Sequence, residues 1–396
     1  MIESVDEADI AGWASDLKEW IDSLGFLFNR PEPRVTFGEF VRGLLSDAPR
    51  KNAWGLADHA GHGSPDRFQH LMTDAKWDAE VLRDQVRSRV VEGLGDPGAV
   101  GVLDDTQQQK KGVRSVGVDY QYCGVTGDVR NVQTMVMLTY ASIHGHAYID
   151  RELYLPASWT GDPDRLKAAK VPQARKFATK PQLAARMVIR AIEAGVEVAA
   201  YAGDSGYGKD LGLRTVISSR SISYVFAVQK NQPLIDDAAV PATAEKIHRM
   251  LPRSAWQRRS QGHGEKGERT YDFAMVPVTV PDEPAADAFA HTLLIRRSKQ
   301  KVVKDGVSDY EYAYFLVHAP KRTSLAQMVR WTGLRWKIEE DNRTGKNEFG
   351  LVDTQVRTWP AWHRHITSSM LAHAFVAVKR AELGKDQQPG EATPTA

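Results

Sequence analysis

Three acidic residues stand where carboxylates could take part in phosphodiester chemistry. Asp104 and Asp204 each follow a short apolar segment that is typical of a buried strand, and Glu339 lies in a predicted helix. Two aspartates from adjacent strands and a glutamate from a helix beside them can hold two divalent ions about 4 Å apart. Such ions stabilise both the attacking and the leaving oxygen of a phosphoryl displacement. Carboxylates are the hard ligands that Mg²⁺ and Mn²⁺ prefer.

The predicted helix around Glu339 also carries two cations. Arg335 precedes Glu339 by four residues and Lys346 follows it by seven, so the three side chains are predicted to share one helix face. Alone, this face is better explained as a solvated row of ion pairs, and an aspartate after a strand is often only a turn or capping residue. The combination of all three acids is what indicates a metal site.

The elements that must position these acids follow from the hydrophobic periodicity. Residues 9–92 predict a mostly helical N-terminal region, and the chain then changes to short apolar strands alternating with helices. The order β-β-β-α-β-α-β predicts a mixed α/β sheet with helices packed on it. A strand-rich stretch without crossover helices follows, and we interpret it as an antiparallel insertion. The predicted domains are 1–95 (helical), 96–228 (first part of the core), 229–320 (β-rich insertion), 321–383 (C-terminal helices) and 384–396 (disordered tail).

Composition narrows the class of protein. The 396 residues are 42% hydrophobic and 26% charged, which is typical of a globular protein with a large core. The single cysteine, Cys123, excludes an internal disulfide framework. Neither an apolar run long enough to cross a membrane nor a signal-peptide pattern is present, so we expect a cytoplasmic protein. The formal charge of +2 hides a basic stretch between residues 253 and 304.

The segments around the three acids resemble those of one family. Val102 to Thr106 with Lys110 to Gly112, Gly203 to Gly208, and Arg335 to Glu339 with Lys346 occur in the order found in bacterial insertion-sequence DDE transposases. The resemblance runs from about Trp54 to Arg380. It implies an RNase-H-like core that is interrupted by a β-rich insertion between the second aspartate and the glutamate. The residues had already predicted a strand-rich stretch at that place.

The resemblance also assigns roles. It implies that Asp104, Asp204 and Glu339 bind two Mg²⁺ or Mn²⁺ ions and that Arg335 and Lys346 hold DNA phosphates. The expected activity is cut-and-paste transposition by an endonuclease that acts as a homodimer on double-stranded DNA, in the cytoplasm and associated with the nucleoid. Further basic residues predicted to contact DNA are Lys110, Lys111, Arg258 and Arg259.

Two departures from the family pattern leave an alternative open. Gln107 and Gln108 stand where relatives usually have glycine and an aromatic residue, and Thr332 stands where a tyrosine is expected. A domesticated protein that binds DNA, or that acts on another substrate, would tolerate such changes. Asp105 and Glu340 are acidic neighbours of the predicted ligands, and we choose Asp104 and Glu339 from the motif. For the histidine pairs, such as His144 with His146, ordinary polar roles are favoured over a zinc site.

Overall fold

The computed structural model describes residues 7–124, 126–236, 238–264, 267–281, 283–304 and 307–386. In chain order its strands are β1 (Val100–Gln109), β2 (Val118–Cys123), β3 (Asp128–Ala141), β4 (His146–Leu153), β5 (Ala200–Gly203), β6 (Ser223–Val228), β7 (Pro233–Ile235), β8 (Pro241–Thr243), β9 (Gln257–Gly264), β10 (Gly267–Val278), β11 (Phe289–Lys304) and β12 (Val307–Pro320). Its helices are α1 (Glu7–Ser23), α2 (Pro31–Leu44), α3 (Ala53–His59), α4 (Asp66–Thr73), α5 (Ala79–Leu94), α6 (Ala157–Thr160), α7 (Pro163–Ala168), α8 (Lys180–Glu193), α9 (Ser205–Gly208), α10 (Leu211–Ser218), α11 (Ala244–Arg249), α12 (Leu325–Leu334), α13 (Lys337–Glu348) and α14 (Trp359–Asp386).

These elements form two compact units. Unit 1 comprises Met1–Gly95, Asp105–Ala178 and Glu339–Ala396, and unit 2 comprises Asp96–Asp104 and Thr179–Ile338. Strand β1 begins in unit 2 and ends in unit 1.

Unit 1 is built on antiparallel strands that are covered by helices. β2 pairs with β3 and β3 pairs with β4. Helices α5 and α14 pack against β4 and against each other. From Val132 onward β3 is buried along its whole length, as its nearly continuous apolar sequence predicts. Arg151 of β4 is also buried, because its guanidinium donates to Glu80 of α5 at 2.8 Å and to Thr367 of α14 at 2.9 Å.

Unit 2 contains a mixed sheet in the order β1-β5-β6-β12-β11-β10-β9. β1, β5 and β6 are parallel, and every later pairing is antiparallel. Helix α12 contacts β5, β6 and β9. Helices α8 and α12 each begin with a capping box, Thr179 with Gln182 and Ser324 with Gln327, which satisfies the first free N–H groups of the helix.

The predicted α/β class, with a helical N-terminal region and helices packed on a mixed sheet, is confirmed, and it is the class expected of an RNase-H-like core. Two details of the sequence interpretation are wrong. β1 does not end at Asp104 but continues to Gln109. The helical periodicity around Glu339, from Ser324 to Lys346, belongs not to one helix but to two, divided at Arg335 and Trp336. The last strand of the strand-rich stretch, β12, pairs with β6.

The predicted disordered tail lies mostly outside the described residues. Helix α14 extends to Asp386, and the remaining residues, 387–396, are not among those that the structure describes. In the described part of the chain, none of the helices is both long and apolar enough to cross a bilayer.

Candidate active site

Two of the predicted ligands, Asp104 and Asp204, lie side by side in unit 2. The parallel register of β1 and β5 pairs Val100 with Ala200 and ends with the pair Leu103 and Gly203. The next residues are Asp104, within β1, and Asp204, directly after β5. Adjacent strands are about 4.8 Å apart, so this register brings both residues to the same edge of the parallel part of the sheet. Asp104 is half-buried there and Asp204 is exposed.

Asp204 is also a helix cap. Its Oδ1 accepts hydrogen bonds from the backbone N–H groups of Gly206, at 2.8 Å, and Tyr207, at 3.3 Å, at the start of α9. The capping role that the sequence had left open is therefore present. Among the described residues, no group donates to its second oxygen, Oδ2, so one carboxylate oxygen remains available for a cation.

The glycines around Asp204 serve close packing. A Cβ on Gly208 would lie 2.2 Å from the carbonyl oxygen of Ala227, and one on Gly203 would lie 3.0 Å from the ring of Phe226. Only glycine fits at Gly208, because a backbone atom cannot move away as a flexible side chain could. Packing on the sheet therefore accounts for these two glycines.

A buried ion pair holds the chain after Asp204. Arg214 of α10 donates to the carbonyl oxygen of Gly208 and, at 2.6 Å, to Glu283. Tyr224 and His291 also lie against Glu283. Burial by itself would raise the pKa of Glu283, but the nearby His291 and the hydrogen bond and charge of Arg214 lower it to about 2. Glu283 is therefore ionised at neutral pH and keeps Arg214 in place.

The third predicted ligand, Glu339, lies in the first turn of α13, in unit 1. Acidic side chains are favoured in a first turn, because the N-terminal end of a helix carries a partial positive charge. Arg335 lies outside α13, since it is the C-terminal cap of α12. Arg335, Glu339 and Lys346 therefore do not project from one continuous helix as the spacing predicts. Glu339 and Lys346 do share α13, with Lys346 in its last turn.

A buried carboxylate fixes α13 within unit 1. Asp341 is fully buried, accepts from the hydroxyl of Thr139 at 2.7 Å, and lies 2.5 Å from Nδ1 of His146 and 3.3 Å from Nε2 of His373. Burial raises the pKa of Asp341, but the two histidines and the Thr139 hydrogen bond outweigh it and lower the pKa. Nothing in the sequence pattern marked Asp341, because its partners come from β3, β4 and α14.

Glu340 has its own partner, since its carboxylate lies 3.2 Å from Nε2 of His146. This contact gives Glu340 a role in holding α13, next to the ligand candidate Glu339. The ordinary polar roles favoured for the histidine pairs agree with the contacts found here. His363 lies 2.9 Å from the carbonyl oxygen of Trp359, and His365 lies 2.9 Å from that of Gly350. Burial lowers the pKa of His363 to about 3 and that of His365 to about 4.

The residues that depart from the family pattern have structural contacts. Gln107 and Gln108 lie in β1, and the buried amide of Gln108 donates to the carbonyl oxygens of Val352 and, at 3.1 Å, Thr354. Thr332 is buried in α12, where Gln261 of β9 donates to its hydroxyl at 2.7 Å.

The other residues predicted to contact DNA lie in two parts of the chain, directly after β1 and on β9. Lys110 is half-buried and donates to the carbonyl oxygen of Thr354, whereas Lys111 is exposed. Arg258 and Arg259 lie on β9, and both are exposed. Arg258 pairs with Asp272 at 3.0 Å.

A metal ion at the sheet edge would have few protein ligands. Within the described residues, no group of three or more His, Cys, Asp or Glu side chains is arranged to hold a metal ion. Mg²⁺, however, is commonly bound through only one or two carboxylates, with water and substrate phosphate as its other ligands. The oxygens of Asp104 and Asp204 at one sheet edge match that ligand chemistry.

In this mixed α/β sheet, Asp104 and Asp204 directly follow the last residue pair of the parallel strands β1 and β5. The profile of the family described as "DDE superfamily endonuclease" matches residues 25–283, which is more than half of the chain. The chain therefore belongs to the DDE superfamily endonucleases. The match contains Asp104 and Asp204, and Glu339 lies beyond it.

The chain is also similar to a curated protein that is described as a transposase. The chain is 26% identical over 191 residues to a protein of Microchaete diplosiphon described as "Probable transposase for insertion sequence element IS701". The aligned part covers 48% of this chain and 47% of the relative, so the chain spans about half the length of the relative that it matches.

Proposed function

We propose that this chain is a DNA transposase that cuts and joins double-stranded DNA at the ends of an insertion sequence. The observation that carries the proposal is the β1–β5 register, which brings Asp104 and Asp204 to one sheet edge within the span matched by the endonuclease family. The name of the relative supports the choice of an insertion-sequence end as substrate. Such an enzyme works where the chromosome is, in the cytoplasm and on the nucleoid, and as a homodimer when two ends are paired.

The proposed chemistry has two steps. Water attacks a phosphodiester at the element's end, and the bond to the 3′ oxygen breaks, which releases a 3′-hydroxyl and leaves a 5′-phosphate. That 3′-hydroxyl then attacks a phosphodiester of the target DNA and displaces the target's own 3′ oxygen. Bound divalent ions, Mg²⁺ or Mn²⁺, would activate the attacking oxygen and stabilise the charge on the leaving one.

The residues of the chain have separate roles in this proposal. Asp104, Asp204 and Glu339 would hold the metal ions. Arg335 and Lys346 would hold DNA phosphates, as charge-assisted hydrogen bonds from both side-chain types can do. The backbone cap at α9 fixes the Asp204 carboxylate before the metal binds, which lowers the cost of ordering it. Lys110, Lys111, Arg258 and Arg259 would add contacts to the DNA backbone.

The alternative of a protein that has lost its chemistry rested on Gln107, Gln108 and Thr332. Each of these side chains has a hydrogen-bonding role in its own unit. Their presence therefore does not favour lost chemistry, and we propose the active enzyme.

A nicking assay with matched variants tests this proposal. The substrate is a supercoiled plasmid that carries the gene with its flanking DNA, with Mg²⁺ present. Asp204→Asn keeps a side chain that can cap α9 but removes the charge, so we expect cleavage to fall by roughly 10³-fold, about 4 kcal/mol of transition-state stabilisation. DNA binding should remain.

The control is Asp210→Asn. Asp210 caps α10 through the N–H of Leu213 at 2.8 Å, so this variant makes the same chemical change at a cap in the same unit. Its cleavage should stay within about threefold of the unmodified chain. Equal cleavage by Asp204→Asn and Asp210→Asn would refute the proposed role of Asp204.

A further inference from the structure

A basic cleft lies within unit 1. It has a volume of about 770 Å³ and is lined by the end of β1, the loop that follows it, Arg50, Asn52, residues 352–355 and Arg357. Its cations are Arg50, Lys110, Lys111, Arg114 and Arg357, and the name "basic cleft" refers to these five residues.

The positive charge of the basic cleft is not balanced by acids. Asp353 is the one acidic residue among the described residues that line it, and its Oδ2 accepts from the backbone N–H of Lys51 at 2.8 Å. In the part of the chain that the structure describes, no carboxylate lies within 4.0 Å of any of the five cations. Four of the five side chains are exposed. An anion can therefore reach them without breaking an existing ion pair.

Lys110 is the half-buried member of the group. Its ammonium donates to the carbonyl oxygen of Thr354, and burial lowers its pKa to about 8. A buried cation without a carboxylate is unfavourable by itself. The hydroxyl of Thr354, in the wall of the same cleft, also has no hydrogen-bond partner among the described residues. An anion in the basic cleft would stabilise the charged form of Lys110.

Hydrogen bonds between distant segments hold the walls in place. Gln108 donates to the carbonyl oxygens of Val352 and Thr354, and the N–H of Val116 donates to the carbonyl oxygen of Arg357 at 3.1 Å. Asn131 of β3 donates to the carbonyl oxygens of Lys110, at 2.7 Å, and Gly112, at 3.1 Å. Because the walls are preorganised, binding there does not have to order the backbone.

The lining residues decide which anion fits. No aromatic side chain is among the described residues that line the basic cleft, so it offers no platform on which a base could stack. Its five cations come from three separate segments of the chain, which suits a row of phosphates better than a single one. Contacts of this kind position a duplex without reading its sequence.

We infer that the basic cleft binds the phosphodiester backbone of double-stranded DNA through residues other than the proposed metal ligands. The inference rests on the proposed function, because it takes DNA as the substrate, and it adds Arg50, Arg114 and Arg357 as contacts that neither the sequence motifs nor the family resemblance assigns. The cleft would hold the duplex while another part of the chain performs the chemistry.

Salt-dependent binding of a duplex tests the inference. The affinity of fluorescent duplex DNA is measured from 50 to 200 mM salt in EDTA, so that the readout does not depend on cleavage. The triple variant Arg50→Gln/Arg114→Gln/Arg357→Gln should reduce the slope of log affinity against log salt by about 2.7, since each phosphate contact contributes about 0.9. Its affinity at the lowest salt should fall about tenfold or more.

The matched control is Arg30→Gln/Arg42→Gln/Lys76→Gln, which removes three exposed cations of the same unit that do not line the cleft. Its slope should stay close to that of the unmodified chain. Thermal melting of both triple variants verifies that they are folded. Equal slopes for the cleft and control variants would overturn the inference.

Two further measurements complete the test. The first distinguishes a duplex from free phosphate as the ligand. The second distinguishes a failure of the inference from a failure of the proposed function. Inorganic phosphate at 10 mM, with ionic strength held constant, should leave duplex binding unchanged; displacement of the duplex would make the cleft a site for free phosphate and overturn the inference. If the unmodified chain cuts DNA but the cleft variant keeps the full slope, the inference alone fails. If the unmodified chain binds no duplex, the proposed function fails with it.

Discussion

The sheet edge with Asp104 and Asp204 and the basic cleft are both charged, but they are built in different ways. At the sheet edge, two carboxylates come from adjacent parallel strands and follow the last pair of their register. At the basic cleft, five cations come from segments that are up to 307 residues apart, Arg50 and Arg357. The first arrangement is a consequence of strand pairing. The basic cleft forms only when segments that are distant in sequence are held together by tertiary contacts. Its cations are suited to holding DNA rather than to reacting with it.

The largest effect should come from the sheet edge. Asp104→Asn should lower Mg²⁺-dependent cleavage by roughly 10³-fold, whereas Asp105→Asn should stay within about tenfold of the unmodified chain, because neighbours on a strand point to opposite faces. Both variants should keep the salt slope of DNA binding. If Asp105→Asn lowered cleavage more than Asp104→Asn, the ligand would be Asp105 and the role given to Asp104 would be wrong.

A smaller effect should follow from loosening the wall of the basic cleft. Gln108→Leu leaves the carbonyl oxygens of Val352 and Thr354 without their donor, so the free energy of unfolding should fall by about 1–3 kcal/mol. Urea unfolding measures this loss, and duplex affinity should fall with it. Gln109→Leu, at an exposed neighbour, should change stability by less than about 0.5 kcal/mol. If both variants were equally stable, Gln108 would not hold the wall.

The arginines of β9 should contribute less to binding than the cleft does. Arg258 is already paired with Asp272, which also lies 3.3 Å from Arg297, so part of its charge is balanced. Arg258→Gln/Arg259→Gln should lower duplex affinity only about threefold at low salt. A loss as large as that of the cleft variant would place the main DNA contact on β9 instead.

The smallest effect should be a pH dependence from Lys110. With its pKa at about 8, Lys110 loses its charge as the pH rises from 7 to 9, so duplex affinity should fall about two- to threefold over that range. The other charged groups at the cleft are Arg50, Lys111, Arg114, Arg357 and Asp353, and His365, whose pKa lies near 4, is neutral throughout. Lys110→Arg should remove the pH dependence, because arginine remains charged. A fall of the same size in Lys110→Arg would assign the titration to another group.

The same pKa also has a consequence for stability. The folded pKa of about 8 lies below the ordinary lysine value of 10.5, so the folded chain holds fewer protons than the unfolded chain between these two pH values. The contribution of Lys110 therefore makes the free energy of unfolding rise as the pH rises through that window. In Lys110→Arg this rise should be absent, which urea unfolding at pH 7.5 and 9.5 would show.

The sequence predicted those features that depend on short stretches of chain. Apolar runs at 132–140, 147–155 and 224–228 predict β3, β4 and β6 to within a few residues. Helical periodicity at 180–194, 210–219 and 362–383 predicts α8, α10 and α14 equally closely. An apolar run also placed Asp204 directly after a strand, where it lies after β5, whereas Asp104 lies within β1. The length of β1 was harder to predict from the sequence. β1 continues through two aspartates and three glutamines, which have low strand propensity, because pairing with neighbouring strands outweighs that propensity.

Features that depend on distant partners were missed. The sequence has no proline that would predict the division between α12 and α13. Instead, Arg269 donates to the carbonyl oxygen of Gly333 at 3.1 Å, and a Cβ on Gly333 would lie 2.5 Å from the carbonyl oxygen of Gln261, so contacts with β9 and β10 set the end of α12. The cluster of Asp341 with His146 and His373 escaped prediction for the same reason. Of the five cations of the basic cleft, the sequence predicted only Lys110 and Lys111, which are adjacent in sequence, as DNA contacts.

The most direct test of metal-dependent cutting at the sheet edge is to map the DNA ends that the protein produces. The unmodified chain and Asp104→Asn/Asp204→Asn are incubated with DNA that carries the element's flanks, in Mg²⁺ or in EDTA, and the new ends are mapped. We predict 3′-hydroxyl ends at the element boundary for the unmodified chain with Mg²⁺ only, and none for the double variant although it still binds the duplex. Cleavage by the double variant at the unmodified rate, or unmodified cleavage in EDTA, would contradict the roles given to Asp104 and Asp204.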